Sequence, residues 1–112
     1  MSRFVFVYHA PMTPAEAAPP APEDMAAVMG EWNAWAAKVG EGMVDFGTPL
    51  ANGVRVASDG ATAPSRREVA GYSIIEAENM EAALQLAKDH PHLKMPGGCE
   101  IEVHEAQQIP GM

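Results

Sequence analysis

The sequence has little cysteine and few basic side chains. One cysteine, Cys99, among 112 residues cannot form a disulfide within the chain or a four-thiolate metal site, and it fits a reducing, cytoplasmic location. The chain has seven Lys and Arg residues against fifteen Asp and Glu residues, which gives a formal net charge of −8. Phosphate backbones and anionic lipid surfaces attract clustered cations, so nucleic acid and membrane partners are not expected.

Long hydrophobic runs are also missing. The longest apolar run near the N-terminus, residues 4–8, is too short for a signal-peptide core or a bilayer span, so we expect neither export by that route nor anchoring. Hydrophobic residues make up 47% of the chain and charged residues 20%, which is typical of a packed globular protein. A chain of 112 residues predicts a single domain over residues 1–112.

Several segments have strand character. Residues 3–9 combine β-branched and aromatic types without a polar break, which predicts a central strand buried on both faces. Residues 43–47 predict a second strand, with residues 54–57 as its hairpin partner. Residues 69–77 predict a third strand, and residues 99–104 alternate strictly between apolar and polar types, as a half-buried strand does.

Two segments have helical periodicity. The first should run from about Glu23 to Lys38, and the second should begin after the N-cap residue Asn79 and end near Asp89, because a residue before proline avoids the helical conformation. Each helix should bury one apolar stripe. The stripe residues are Met25, Val28, Met29, Trp32, Ala36 and Val39 in the first helix and Met80, Ala83, Leu84 and Ala87 in the second.

Two segments should form loops. Residues 10–22 carry five prolines, which remove amide donors, so neither a long helix nor a ladder strand should run through them. Within them, residues 13–16 match a capping box that starts one helical turn at most. Residues 58–68 are polar and rich in turn formers, which predicts an exposed loop.

The order β-α-β-β-α-β predicts an α+β domain of the ferredoxin-like type, with an antiparallel sheet and both helices on one face. The other face would be open to water. The strand over residues 3–9 has no polar side, because Phe4, Phe6 and Tyr8 point one way and Val5 and Val7 the other. An uncovered aromatic face of this kind usually marks an interface, so we expect a homodimer related by a two-fold axis.

Three segments of the C-terminal half carry recognisable motifs: Gly-Tyr-Ser-Ile-Ile-Glu-Ala-Glu-Asn-Met-Glu-Ala-Ala at 71–83, His-Pro-His-Leu at 90–93 and Gly-Gly-Cys-Glu-Ile-Glu-Val at 97–103. In their sequence and spacing they resemble the YCII-related (DGPF-like) family of small bacterial proteins. Ser-Asp-Gly at 58–60 stands where one branch has an Asp-Gly-Pro-Phe loop. A related group with two tryptophans in its first helix is similar at six positions: Trp32, Trp35, Gly42, Asp45, Gly47 and Pro49.

This resemblance implies a ferredoxin-like fold that assembles as a dimeric α/β barrel, and it implies no known reaction. In the YCII branch, a histidine of the first helix and an aspartate have been put forward as a catalytic pair. The first helix here contains no histidine, so that pair has no full counterpart.

The best acid-base cluster combines His9 with Glu76 and Glu100. We expect the strands over residues 3–9 and 69–77 to be parallel and adjacent and the last strand to be antiparallel to the first, so His9 should approach both carboxylates. A charged rim at one end of the sheet is the competing and favoured interpretation. Asp45 lies within an apolar segment, so it faces outward or has a functional position.

Aromatic and histidine side chains are the candidate ligand contacts. They are Tyr72, Trp32, Trp35 and His92. Aromatic residues in a helix stripe belong more often to the core. For His90 and His92, a helix-ending turn with partly exposed imidazoles is favoured over a site, because their spacing does not match a helical zinc motif.

The last strand offers a second candidate surface. Glu100, Glu102 and His104 should share one face, either as a solvated rim or as the lining of a dimer pocket. No metal and no cofactor are expected. The leading hypothesis is a dimer that binds a small organic molecule, either in the barrel or in the cleft between sheet and helices, with His9 and a carboxylate in acid-base catalysis. The alternative is a non-catalytic interaction or regulatory module.

Overall fold

The structure is a computed structural model that describes residues 2–10, 22–65, 69–94 and 98–109. Its elements in chain order are β1 (Ser2–His9), α1 (Pro22–Val39), β2 (Met43–Asp45), β3 (Val54–Val56), β4 (Thr62–Pro64), β5 (Val69–Ala77), α2 (Met80–Lys88) and β6 (Glu100–Glu105). A 3₁₀ turn follows each helix, at Gly40–Gly42 and Pro91–Lys94. Most of the proline-rich segment 10–22, including the capping box at 13–16, lies outside the described residues.

Four strands form one antiparallel sheet in the order β2-β5-β1-β6. With its two helices it is a mixed α+β arrangement compatible with a ferredoxin-like fold. The predicted parallel pairing of residues 3–9 with residues 69–77 is wrong, because β1 and β5 are antiparallel neighbours. In this split β-α-β arrangement the two parallel strands are β1 and β2. Strand β5 lies between them and is antiparallel to both.

Strands β3 and β4 form a separate two-stranded ribbon. The prediction that residues 54–57 pair with residues 43–47 is therefore wrong, and part of the predicted loop 58–68 is strand. Hydrogen bonds from Ala57 N to Ala61 O, at 2.7 Å, and from Ser65 N to Gly53 O, at 3.0 Å, close the ribbon. Its valines, Val54 and Val56, are 64% and 67% exposed, so burial did not select the partner strand.

The predicted helix boundaries agree with the structure. Helix α1 covers the expected residues with one more at each end, and α2 ends at Lys88, just before the expected stop. The side chain of Asn79 accepts a hydrogen bond from the backbone N–H of Ala82 at 2.8 Å, which confirms the N-cap.

The predicted apolar stripes are only partly buried. In α1, Met25, Val28 and Met29 are 41–46% exposed, whereas Trp35 is buried. In α2, Ala83 and Ala87 are buried, but Met80 and Leu84 are exposed. The buried part of α1 is its C-terminal half, where Trp32, Trp35 and Val39 pack against the sheet. The predicted stripes are therefore only partly correct: the N-terminal half of the α1 stripe is exposed, and Trp35, the most buried of the described α1 residues, is not among the predicted stripe residues.

The core lies on one side of β1. Phe4, Phe6 and Tyr8 are buried there beneath the helices, and Ile75 of β5 joins them. Val5 and Val7, on the opposite side, are only partly buried. The expectation of an uncovered aromatic face is therefore wrong: the open face of the sheet is the valine side.

No helix among the described residues is long and apolar enough to cross a membrane.

Candidate functional site

The open face of the sheet carries rows of polar and apolar side chains. Side chains opposite one another on neighbouring antiparallel strands share a face. The strand register therefore sets three rows across β6, β1 and β5. The rows are Glu102–Val7–Tyr72, His104–Val5–Ile74, and Glu100–His9–Val69.

Two histidines flank one carboxylate at the β6 side of this face. His104 Nε2 lies 3.0 Å from Glu102 Oε1, and His9 Nε2 lies 3.6 Å from the same oxygen. The side chain of His9 is 17% exposed and that of His104 is 62% exposed. We refer to His9, Glu102 and His104 as the histidine–glutamate cluster.

Only part of the predicted His9 cluster is brought together. Glu100 is the register partner of His9, as expected. Glu76 is opposite Arg3 at the other end of β1, and its carboxylate lies 3.5 Å from Arg3 Nε. The expected approach of Glu76 to His9 fails because β1 and β5 are antiparallel. The carboxylate that contacts His9 is Glu102, which the alternation of the last strand had placed on the same face as Glu100.

Tyr72 and Asp45 form a second polar group on the open face. The Tyr72 hydroxyl donates to Asp45 Oδ2 at 3.3 Å, and Asp45 Oδ1 accepts from the Gly47 N–H at 2.8 Å. The charge of the nearby Asp45 carboxylate is the main cause that raises the pKa of Tyr72, which keeps the phenol protonated. Gly47 has a φ of +81°, and a Cβ there would lie 1.7 Å from the Tyr72 carbonyl oxygen.

His90 lies on the covered side of the sheet, in an aromatic cage. Its ring centroid is 4.2 Å from that of Trp35, 4.4 Å from that of Trp32 and 4.7 Å from that of Tyr8. His90 Nδ1 accepts the backbone N–H of His92 at 2.9 Å, so the neutral ring carries its proton on Nε2. Burial lowers the pKa of His90 to about 3.

His92 is also buried, so the expectation of partly exposed imidazoles in this turn is wrong. Its Nε2 lies 2.9 Å from the backbone oxygen of His9. Burial is the largest influence on His92, and it lowers the pKa. The turn packs inward because its two rings complete the aromatic core, which the polar character of histidine did not indicate.

The remaining candidate ligand contacts divide between the two faces. Trp35 is in the core and donates from Nε1 to the Leu86 oxygen at 2.9 Å, and Trp32 packs edge-on to Tyr8. Both tryptophans therefore lie on the covered side. Among the proposed aromatic contacts, Tyr72 is the one on the open face, where it adjoins Asp45.

A buried hydroxyl chain links the core to the loop after β2. Tyr8 donates to Ser73 Oγ at 2.7 Å, and Ser73 donates to the Phe46 oxygen at 2.6 Å. Burial raises the pKa of Tyr8, so its phenol stays neutral. These two hydrogen bonds satisfy polar groups inside the core, and neither hydroxyl reaches the open face.

A scan of protein-family models gives no match to the chain, and a search of curated proteins gives no significant match. Within the described ranges, no group of three or more His, Cys, Asp and Glu side chains is arranged to hold a metal ion.

Proposed function

We propose that this chain is a YCII-related protein that binds a small organic molecule on the open face of its sheet, as a homodimer of the dimeric α/β barrel type. In this proposal, His9 and Glu102 supply acid-base catalysis. The observation that carries it is the Glu102 carboxylate held between His9 and His104, beside the apolar strip of Val5, Val7 and Ile74.

The cluster has the parts that proton transfer needs. An imidazole beside a carboxylate can take a proton from a bound molecule and return it. His104 is exposed to an incoming molecule, and His9 is largely enclosed. Glu102, between them, is the charge partner of both rings.

The dimensions of the open face favour a small ligand. The row Glu102–Val7–Tyr72 places the cluster and the Tyr72–Asp45 pair on the two sides of β1. Two interstrand spacings separate these polar groups by roughly 10 Å. A small molecule of about this length would reach hydrogen-bonding groups at both ends.

Charge favours a neutral or cationic ligand. Acidic residues at four places on this face, Asp45, Glu76, Glu100 and Glu102, outnumber Arg3, and the whole chain has a net charge of −8. An anion would be repelled by this field, whereas an amine or a hydroxyl compound would not.

The partly exposed valines support the homodimer. Val5 and Val7 remain accessible in a single copy, and Ile74 beside them does too. A two-fold related copy would cover this strip and enclose the polar groups in a pocket between two sheets.

Val7→Glu should give a monomer in sedimentation equilibrium, because it buries a carboxylate in the contact. Val56→Glu, on the exposed ribbon, is the matched control and should stay dimeric. A dimeric Val7→Glu protein would contradict this interface.

Ligand-induced thermal shifts test binding. A panel of neutral, cationic and anionic small molecules is screened, since a ligand of the folded state raises its melting temperature. Neutral or cationic compounds should raise the melting temperature of the wild type and of Glu105→Gln, but not that of His9→Ala or Glu102→Gln. Glu105 is exposed on the same strand and opposite Phe4, so it is the matched control. Hits that survive in both site variants would refute the site.

A non-catalytic interaction module is the second candidate. It is favoured by the apolar surface that Met25, Val28 and Met29 leave exposed on α1, because such patches commonly mark protein contacts. A screen without a single hit would favour this module.

A further inference from the structure

The turn after α2 reaches the proposed site from inside the molecule. His90, Pro91 and His92 are all buried at the junction of α1, the sheet and α2. None of these residues is part of the histidine–glutamate cluster. One of them, His92, nevertheless contacts the backbone oxygen of His9.

The His92 ring contacts the strand that presents His9. Its Nε2 lies 2.9 Å from the His9 oxygen on β1, and the turn that carries His92 packs against β6. His9 and Glu100 are direct register partners across β1 and β6. The imidazole therefore meets β1 at the row where β6 pairs with His9.

The orientation of His92 is itself fixed. Its backbone N–H donates to His90 Nδ1 at 2.9 Å, and the Leu93 N–H donates to the His90 oxygen at 3.2 Å. His90 is held by rings on three sides, and Pro91 between the two histidines has a restricted φ. The side chain of His92 consequently has little freedom to leave the His9 carbonyl.

We propose that His92 is a positioning residue for His9. Its Nε2–H donates to the His9 carbonyl, holds the end of β1 against β6, and so keeps the His9 imidazole beside the Glu102 carboxylate. His92 touches no substrate in this role. The catalytic meaning of the proposal rests on the proposed function, but the contact itself is tested without any ligand.

NMR of the histidine rings measures this positioning. In the wild type, Glu102→Gln should change the ring signals of His9, because the two side chains are neighbours. In a His92→Phe background, the same Glu102→Gln change should alter the His9 signals by less than half as much, since phenylalanine keeps an aromatic ring but cannot donate. His92→Gln retains an N–H donor and should restore most of the coupling.

Two results would overturn the proposal. One is a folded His92→Phe protein in which Glu102→Gln changes the His9 ring signals fully, because a residue with a merely structural role lowers stability without uncoupling the pair. The other is read in the wild type, whether or not the variants fold: ring ¹⁵N shifts showing that His92 Nε2 carries no proton at neutral pH. A failed ligand screen with His9–Glu102 coupling intact would reject the proposed function and leave the positioning role standing.

Discussion

The two sides of β1 carry alternate residues of one short strand, yet they have opposite environments. Phe4, Phe6 and Tyr8 are sealed beneath the helices, whereas Val5 and Val7 look onto an open polar face. Because the two sets alternate, composition alone could not assign them. Which side the helices cover decides which residues stabilise the fold and which are free to bind.

The four histidines divide in the same way. His90 and His92 are buried among aromatic rings, where burial favours the neutral imidazole. His9 and His104 share a carboxylate on the open face. The histidine pair that is close in sequence is thus buried in the core, and the pair that is far apart in sequence forms the candidate site.

Truncation on the two sides of β1 should have the most unequal effects. Phe6→Ala should lower the free energy of unfolding by about 3–5 kcal/mol, because it leaves a cavity in the core. Val7→Ala, one residue along and only partly buried, should cost about 1 kcal/mol. Urea unfolding measures both. Equal losses would show that the valine side is as enclosed as the aromatic side.

The loop that supports Asp45 should be the next most sensitive place. Gly47→Ala adds a Cβ that meets the Tyr72 carbonyl and forces a strained positive φ, so the loss should be on the order of 3 kcal/mol. Gly60→Ala is the matched control, because Gly60 has a φ of +87° and nothing within 4 Å of the added Cβ. It should lose about 1 kcal/mol from the backbone alone. Thermal unfolding measures both variants. The same loss of stability in both would show that the contact with the Tyr72 carbonyl does not contribute.

The buried histidines should make the fold acid-sensitive. The pKa of His90 is about 3 in the folded chain against an ordinary 6.5, so between these values the unfolded state binds more protons. The contribution of His90 to stability should therefore be constant above pH 6.5 and fall as pH drops below it, by up to about 1.4 kcal/mol per pH unit. His92, whose pKa is also lowered, acts in the same direction.

Urea unfolding at a series of pH values tests this dependence. His90→Gln should reduce the slope of stability against pH by the contribution of one bound proton, up to about 1.4 kcal/mol per pH unit. Ala87→Gly, which weakens α2 without removing a titrating group, should keep the full slope. An unchanged slope in His90→Gln would show that His90 is not the group responsible.

Much of the fold follows from local signals. The unbroken apolar run of β1, the Asn79 cap and the proline at position 91 gave correct elements, because each acts within a few residues. Strand pairing did not follow as well. The ribbon of β3 and β4 buries little surface, so no hydrophobic pattern indicates the partner of β3.

The candidate site was only partly predictable. Strict alternation in β6 correctly placed Glu102 and His104 on one face, and an antiparallel β1–β5 pairing would have excluded Glu76 from the start. The burial of His90 depends on three rings from two distant elements. Nothing in the sequence neighbourhood of His90 specifies that cage.

Chemical-shift mapping of a bound compound shows which face of the sheet holds the ligand. A compound that raises the melting temperature is titrated into ¹⁵N-labelled protein, and the shifted amides are assigned. Binding to the open face should move the signals of Val5, Val7, Tyr72 and Ile74 and leave those of Trp32 and Trp35 in place. Shifts concentrated at the two tryptophans and His90 would place the ligand on the covered side and contradict binding at the open face.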